Sequence, residues 1–179
     1  MPFQITEVRT STFPSAEAVE AALTRLGLSH ERIKEELAGF VCAAPAQDNF
    51  GYQQSLASEL ETYLAETFMH DGSLKRASDS YSSRLNERAD LALERPGIDG
   101  RVFFEVEFRP NVEKDLVKFQ IGHNNGRLGI GILIVAINRT AINRSYTTMP
   151  EYAKFVSVIE ELNLEYPLLL CGINGRFVG

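Results

Sequence analysis

Cysteine and histidine are scarce in this sequence, and their spacing argues against a disulfide framework or a zinc site. The two cysteines, Cys42 and Cys171, lie in apolar stretches with no C-x-x-C spacing. This usage is typical of a reduced chain, so we expect a cytoplasmic protein. The three histidines, His30, His70 and His123, are too dispersed along the chain to bind zinc together.

The chain also lacks an excess of basic residues. It has 18 lysines and arginines against 24 aspartates and glutamates, a formal net charge of -6. No overall positive field therefore indicates a nucleic-acid partner. Contact with DNA would need a local basic patch, or metal ions that offset the acids.

No apolar run is long enough to suggest a membrane segment. The longest run, LGIGILIVAI, covers residues 128–137, whereas a membrane helix needs about 20 residues. This run predicts a buried strand, and we expect no membrane partner. The first residues lack a basic region followed by an apolar stretch, so we expect no signal peptide.

The order of the predicted elements favours an α/β fold, with a mixed central β-sheet flanked by helices. With 179 residues, 44% of them hydrophobic, the chain is long enough for one globular domain. Ser29 is expected to cap the second of two N-terminal helices within residues 15–40, which pack on a core of about residues 54–138. The turn signals Pro96–Gly97 and Asp99–Gly100 predict a hairpin of the segments RADLAL and RVFFEVEF. Helical spacing follows over NVEKDLVKFQIG, with Gly122 as its expected end, and a final helix and strand close the chain.

Three acids interrupt the apolar pattern of that hairpin: Asp90 in its first strand, and Glu105 and Glu107 in its second. Strand side chains alternate between faces, so Glu105 and Glu107 share one face. Phe104, Val106 and Phe108 alternate with these glutamates and pack on the opposite face of the strand. If the register of the hairpin aligns Asp90 with the two glutamates, three carboxylates converge on one patch.

Three close carboxylates need a counter-charge to stay ionised. Mg²⁺ is the natural one, because it prefers carboxylate oxygens together with retained waters, and at a phosphate it would support phosphodiester hydrolysis. The alternative is that the acids form the solvated face of a half-exposed hairpin. Against it, Phe103 and Ala92 stand on the same face as the acids, where a wet face would carry polar residues.

Asp90, the turn, Glu105-Val106-Glu107, the helix and the apolar strand together resemble the PD-(D/E)XK nuclease superfamily. The run FFEVEFRPNVEKDLVKFQIGHNNGRLGIGILIVA is similar to type II restriction endonucleases that cut palindromes centred on GATC. The similarity covers about residues 54–138. It implies a Mg²⁺-dependent endonuclease acting as a homodimer on double-stranded DNA.

By position, the resemblance makes Asp90 and Glu105 metal ligands. Glu107 stands where most of the superfamily has a lysine that orients the attacking water, so it would bind metal or help to position water. Ala89 replaces the proline of the motif. Both replacements depart from the usual pattern, and the glutamate leaves the activation of water open.

Further candidates have an alternative reading as ordinary surface residues. Of the acids on the preceding helix, Glu59 is preferred to Glu61 as a fourth metal ligand, although a solvated helix acid fits as well. Lys114 and Lys118 can contact the scissile phosphate or cover the sheet with their aliphatic stems. Polar residues of the types that read base edges in DNA follow the acidic strand and the apolar strand. The same residue types are also common in an ordinary polar connecting loop. These candidates for binding DNA are Arg109, Asn111, Asn138, Arg139, Asn143, Arg144 and Ser145.

Two other functions remain open on the sequence. A nuclease-like fold can bind DNA or protein without catalysis, and an acidic domain can have no metal site at all. Convergence of Asp90, Glu105 and Glu107 would favour a nuclease or its non-catalytic relative over the acidic domain. Support for a dimer is indirect: the N-terminal helices and the helix YAKFVSVIEELN have apolar stripes that pack either within the chain or against a second copy.

Overall fold

The computed structural model describes residues 2–43, 51–84, 87–108, 112–138 and 151–178. Its helices are α1 (Ala16–Arg25), α2 (His30–Gly39), α3 (Gly51–Met69), α4 (Val112–Asn124) and α5 (Glu151–Leu162). Its strands are β1 (Phe3–Phe13), β2 (Val41–Cys42), β3 (Lys75–Arg76), β4 (Leu91–Glu94), β5 (Arg101–Glu107), β6 (Leu128–Ala136) and β7 (Leu168–Phe177). The predicted cap at Ser29 is confirmed, because its side chain accepts a hydrogen bond from the backbone N–H of Arg32 in the first turn of α2. Ser15 caps α1 in the same way, through the N–H of Ala18.

The described strands form one seven-stranded sheet in the order β2-β1-β7-β6-β5-β4-β3. Strands β5, β6 and β7 run parallel to one another, and the outer pairs are antiparallel. The predicted mixed sheet and the predicted hairpin, formed by β4 and β5, are therefore confirmed. Within the hairpin turn, Gly97 and Gly100 both have positive φ, a backbone conformation that glycine adopts without strain.

Helices cover both faces of this sheet, as the α/β prediction requires. On one face α1, α2 and α3 pack on alternate residues of the central strands, including Phe104, Ile132 and Ile134. On the other face α4 and α5 pack on the intervening residues, including Phe103 and Leu133. Every residue of β6 is buried, which explains its continuous apolar sequence.

Three details differ from the sequence-based expectations. The N-terminal segment forms β1, an 11-residue strand that pairs with β7 and that the pattern did not reveal. Helix α4 continues past Gly122 to Asn124, and the turn with positive φ falls at Gly126. The apolar stripes of α1, α2 and α5 are buried within the chain, so they give no support for a dimer.

Among the helices described, none is long and apolar enough to cross a membrane.

Candidate active site

The three acids of the hairpin lie where β4 and β5 meet. Leu91, the first residue of β4, pairs with Phe104 of β5, so the preceding residue, Asp90, lies beside Glu105. Asp90 is held there by its own side chain, because its Oδ2 accepts a hydrogen bond from the backbone N–H of Val106 at 2.7 Å. The carboxylate of the first strand is thereby fixed against the backbone of the second.

A cleft of about 240 Å³ opens at this junction. Helix α3 contributes one wall and α4 another. Its lining residues include all five candidates for catalysis: Asp90, Glu105, Glu107, Lys114 and Lys118. The structure therefore brings together side chains that the sequence separates by up to 28 positions.

Glu105 is the most enclosed of these acids, at 2% exposed, and both of its carboxylate oxygens accept hydrogen bonds. The hydroxyl of Tyr81 donates to Oε1 at 2.6 Å. The ammonium group of Lys118 donates to Oε2 at 2.8 Å. A charged group needs such partners to be buried at acceptable cost, so Glu105 has a fixed orientation.

The two lysines of α4 differ in their surroundings. Lys118 is buried between two acids, since its Nζ also lies 3.0 Å from Asp115 Oδ1. Asp115 Oδ2 is buried and has no hydrogen-bond partner within the described residues. Lys114 lines the same cleft but is exposed. Of the two, Lys114 is therefore the more accessible to a ligand in the cleft.

Negative charge is crowded in the cleft, because five acids and two lysines line it. Burial, followed by the charges of Asp90 and Asp115, raises the pKa of Glu105 to about 8, against the opposing effect of Lys118. Burial and the charge of Asp90 raise the pKa of Glu61 to about 7. A cation bound here would relieve this repulsion.

The donor set fits Mg²⁺, which commonly takes one or two carboxylates and completes its shell with waters and phosphate oxygens. Asp90 and Glu105 are the adjacent pair that can supply them. In the described part of the chain, no group of three or more histidines, cysteines, aspartates and glutamates is arranged to hold a metal ion. The site thus lacks the closed ligand shell of a structural metal site, and water and substrate oxygens would have to supply the other ligands.

The preference for Glu59 over Glu61 is wrong. Side chains two positions apart on a helix point in directions about 200° apart when viewed down the helix axis. Glu59 and Glu61 therefore cannot face the same cleft. Glu61 lines it together with Ala57, one turn earlier, whereas Glu59 is exposed and not among the lining residues. The sequence also gave no reason to select Tyr81 or Asp115, whose side chains complete the buried contacts around Glu105 and Lys118.

The candidates for reading DNA stand after the strands that carry the site. Asn138 is exposed just beyond β6. Arg109, Asn111, Arg139, Asn143, Arg144 and Ser145 lie outside the described residues. Because Glu107 at the end of β5 pairs with Val135 near the end of parallel β6, both strands end at the edge of the sheet where the cleft opens.

The comparisons with known proteins agree with this geometry. A family model described as "Restriction endonuclease BglII/BglIII" matches residues 6–173. The match extends over the N-terminal strand and helices as well as the hairpin and the parallel strands. No curated protein matches the chain significantly, and no solved structure does.

Proposed function

The chain belongs to the restriction endonuclease BglII/BglIII family, and we propose that it is a Mg²⁺-dependent type II endonuclease. Its substrate would be double-stranded DNA that carries a palindrome centred on GATC, and both strands would be hydrolysed. The observation that supports this most directly is that Asp90, Glu105 and Glu107 line one cleft together with two lysines. The acids alone would repel DNA, so a cation is needed for a phosphate to enter.

Asp90 and Glu105 are the proposed metal ligands. Their carboxylates are held in place before substrate arrives, Asp90 by the N–H of Val106 and Glu105 by Tyr81 and Lys118. Such preorganisation removes the cost of ordering these groups during the reaction. When bound, Mg²⁺ would supply positive charge at the scissile phosphate.

Glu107 is the proposed positioning group for the attacking water. It is partly buried and lines the cleft on the same face of β5 as Glu105. A carboxylate accepts a hydrogen bond from water and can take up its proton, whereas a protonated lysine, the residue common at this position, orients the water or stabilises charge. Lys114, exposed at the cleft, would neutralise the phosphate.

A symmetric homodimer would present one such cleft to each strand of a palindrome. Base reading is assigned to the segments that follow β5 and β6, with Arg109, Arg139 and Arg144 as candidates for guanine and Asn111, Asn138 and Asn143 for adenine. We expect the enzyme to act on DNA in the cytoplasm.

Incubation of the purified protein with duplexes that carry each hexanucleotide palindrome centred on GATC tests the proposal. We expect paired breaks at one palindrome in Mg²⁺ and none in EDTA, and sequencing of the ends gives the site. Duplexes with the same base composition but no GATC serve as controls. Tight binding to a GATC duplex without cleavage in Mg²⁺ or Mn²⁺ would instead identify a non-catalytic DNA-binding member of the family.

A further inference from the structure

Tyr81 contacts the proposed metal ligand Glu105 from outside the nuclease motif. It lies in the segment between β3 and β4. Its side chain is 0% exposed, and its hydroxyl donates a 2.6 Å hydrogen bond to Glu105 Oε1. It therefore fixes the side of the carboxylate that Lys118 does not contact.

The ring of Tyr81 has a closely fitted place. It stacks on Phe103 with centroids 4.6 Å apart and meets the edge of Phe119 at 6.0 Å. A Cβ added at Gly122 of α4 would lie 2.8 Å from Tyr81 Cδ1, a distance that real Cβ atoms do not tolerate. Gly122 is thus the packing surface for this ring, which explains why a glycine stands inside the helix.

The backbone around Tyr81 is anchored at separate points. The N–H of Tyr81 donates to Glu87 O at 3.3 Å. Arg127, in the turn after α4, donates to Ser80 O at 2.9 Å. Because ring and backbone are both held, the hydroxyl is presented to Glu105 in one position.

We propose that Tyr81 is a positioning residue of the nuclease site, which holds Glu105 in the orientation that binds a divalent cation. This proposal rests on the proposed function, since it assigns Glu105 to the metal. With the hydroxyl removed, Glu105 keeps Lys118 as its hydrogen-bond partner and is free to rotate about its own side-chain bonds. Metal affinity and catalysis then fall together, while the aromatic packing remains.

Tyr81→Phe is the test, and Tyr166→Phe is its matched control. Tyr166 is also 0% exposed, its ring lies 6.4 Å from the same Phe119, and its hydroxyl donates to a helix carbonyl, Leu116 O, at 3.1 Å. Each substitution deletes one buried hydrogen bond, but only Tyr81 donates to a site acid. Three quantities are measured: Mn²⁺ affinity of the free protein by calorimetry, the single-turnover cleavage rate in Mg²⁺, and the thermal midpoint.

We expect Tyr81→Phe to weaken Mn²⁺ binding and to slow cleavage by about ten-fold each, since a hydrogen bond to a charged group is stronger than a neutral one. Tyr166→Phe should lower the thermal midpoint by the smaller contribution of one neutral hydrogen bond and leave affinity and rate within roughly two-fold of the wild type. Wild-type Mn²⁺ affinity and rate in Tyr81→Phe would overturn the proposal, as would equal losses in both variants. If the wild type cuts no duplex but Tyr81→Phe still weakens Mn²⁺ binding selectively, the nuclease function fails while the positioning role stands.

Discussion

Lys118 Nζ lies 2.8 Å from Glu105 Oε2, in a side chain that is 8% exposed. Burial by itself would lower the pKa of Lys118, but the carboxylates of Glu105 and Asp115 raise it above its usual value. The lysine therefore stays charged. The cleft thus contains a cation of its own, and its acids are partly neutralised without the proposed metal ion.

Lys118→Met tests this role, because it keeps much of the volume and removes the charge. Two buried acids would lose their cation, which costs about 3–5 kcal/mol of unfolding free energy. We expect Mg²⁺ to restore part of that loss, measured by urea unfolding with and without the ion. The control is Lys154→Met on the exposed face of α5, with a change of about 0.5 kcal/mol or less. Equal stability of the two variants would show that Lys118 is not the counter-ion of the site.

Asp90→Asn should remove cleavage without disturbing the fold. The asparagine oxygen can still accept the hydrogen bond from Val106 N–H, so the thermal midpoint should change little. The rate in Mg²⁺ should fall by about a hundred-fold or more, because the charge that a metal supplies is worth several kcal/mol. Asp99→Asn, an exposed residue of the hairpin turn, is the control. Cleavage by Asp90→Asn at the rate of that control would remove Asp90 from the site.

Glu61 should make the free energy of unfolding fall as pH rises. An acid in a salt bridge, whose pKa is lowered by folding, has the opposite effect. Burial, then the charge of Asp90, raises its pKa from 4.5 to about 7. Between those values the folded state keeps a proton that the unfolded state has lost, so stability falls as pH rises. Glu61→Gln stays neutral at every pH, so the loss between about pH 5 and about pH 8 should shrink, by roughly 1 kcal/mol after allowance for solvent screening.

Urea unfolding in EDTA at both ends of that range measures this effect. Glu59→Gln is a close control, because Glu59 is two residues away on α3 but exposed and outside the cleft. A wild-type slope in Glu61→Gln, or an equal change in both variants, would contradict the assignment. The slope should not vanish entirely, since Glu105 also has a raised pKa.

The fold around the site could be predicted because local signals determine it. The turn residues Pro96–Gly97 and Asp99–Gly100 mark the hairpin, and two-residue alternation separates Glu105 from Phe104. Strand β1 could not be recognised in the same way. A register shift between Ile5 and Glu7 breaks its alternation, and its stability comes from pairing with β7 at the other end of the chain.

The partners of the site acids were harder to predict than the acids. Tyr81 lies among serines and arginines that suggest only a polar loop, and its contact with Glu105 depends on packing against Phe103 and Gly122. Asp115 looks like an ordinary acid in the first turn of a helix. Only the position of α4 on the sheet shows that it faces Lys118.

Arg139 and Arg144 test the proposed reading of DNA. If either arginine makes a bidentate contact with guanine, its replacement by alanine should reduce discrimination at one base pair by about 1–3 kcal/mol. Binding to duplexes with each single substitution in the palindrome, at fixed salt, measures this. Uniform weakening across all duplexes, with a smaller salt dependence, would assign the arginine to phosphate instead.

The final prediction is that the active species is a symmetric dimer. Each chain contributes one acidic cleft, and a palindromic duplex has two equivalent scissile phosphates, so a two-fold assembly matches the symmetry of the DNA. The buried stripes of α1, α2 and α5 cannot form its interface. Among the described residues, the large exposed apolar side chains are Val41, Ile98, Val117 and Leu162. They lie on four different elements or turns, so the expectation of a dimer depends on symmetry. Sedimentation at micromolar concentration, alone and with a GATC duplex in Ca²⁺, should give two chains per duplex. A single chain on the cognate duplex, or nicking of one strand only, would exclude the dimer.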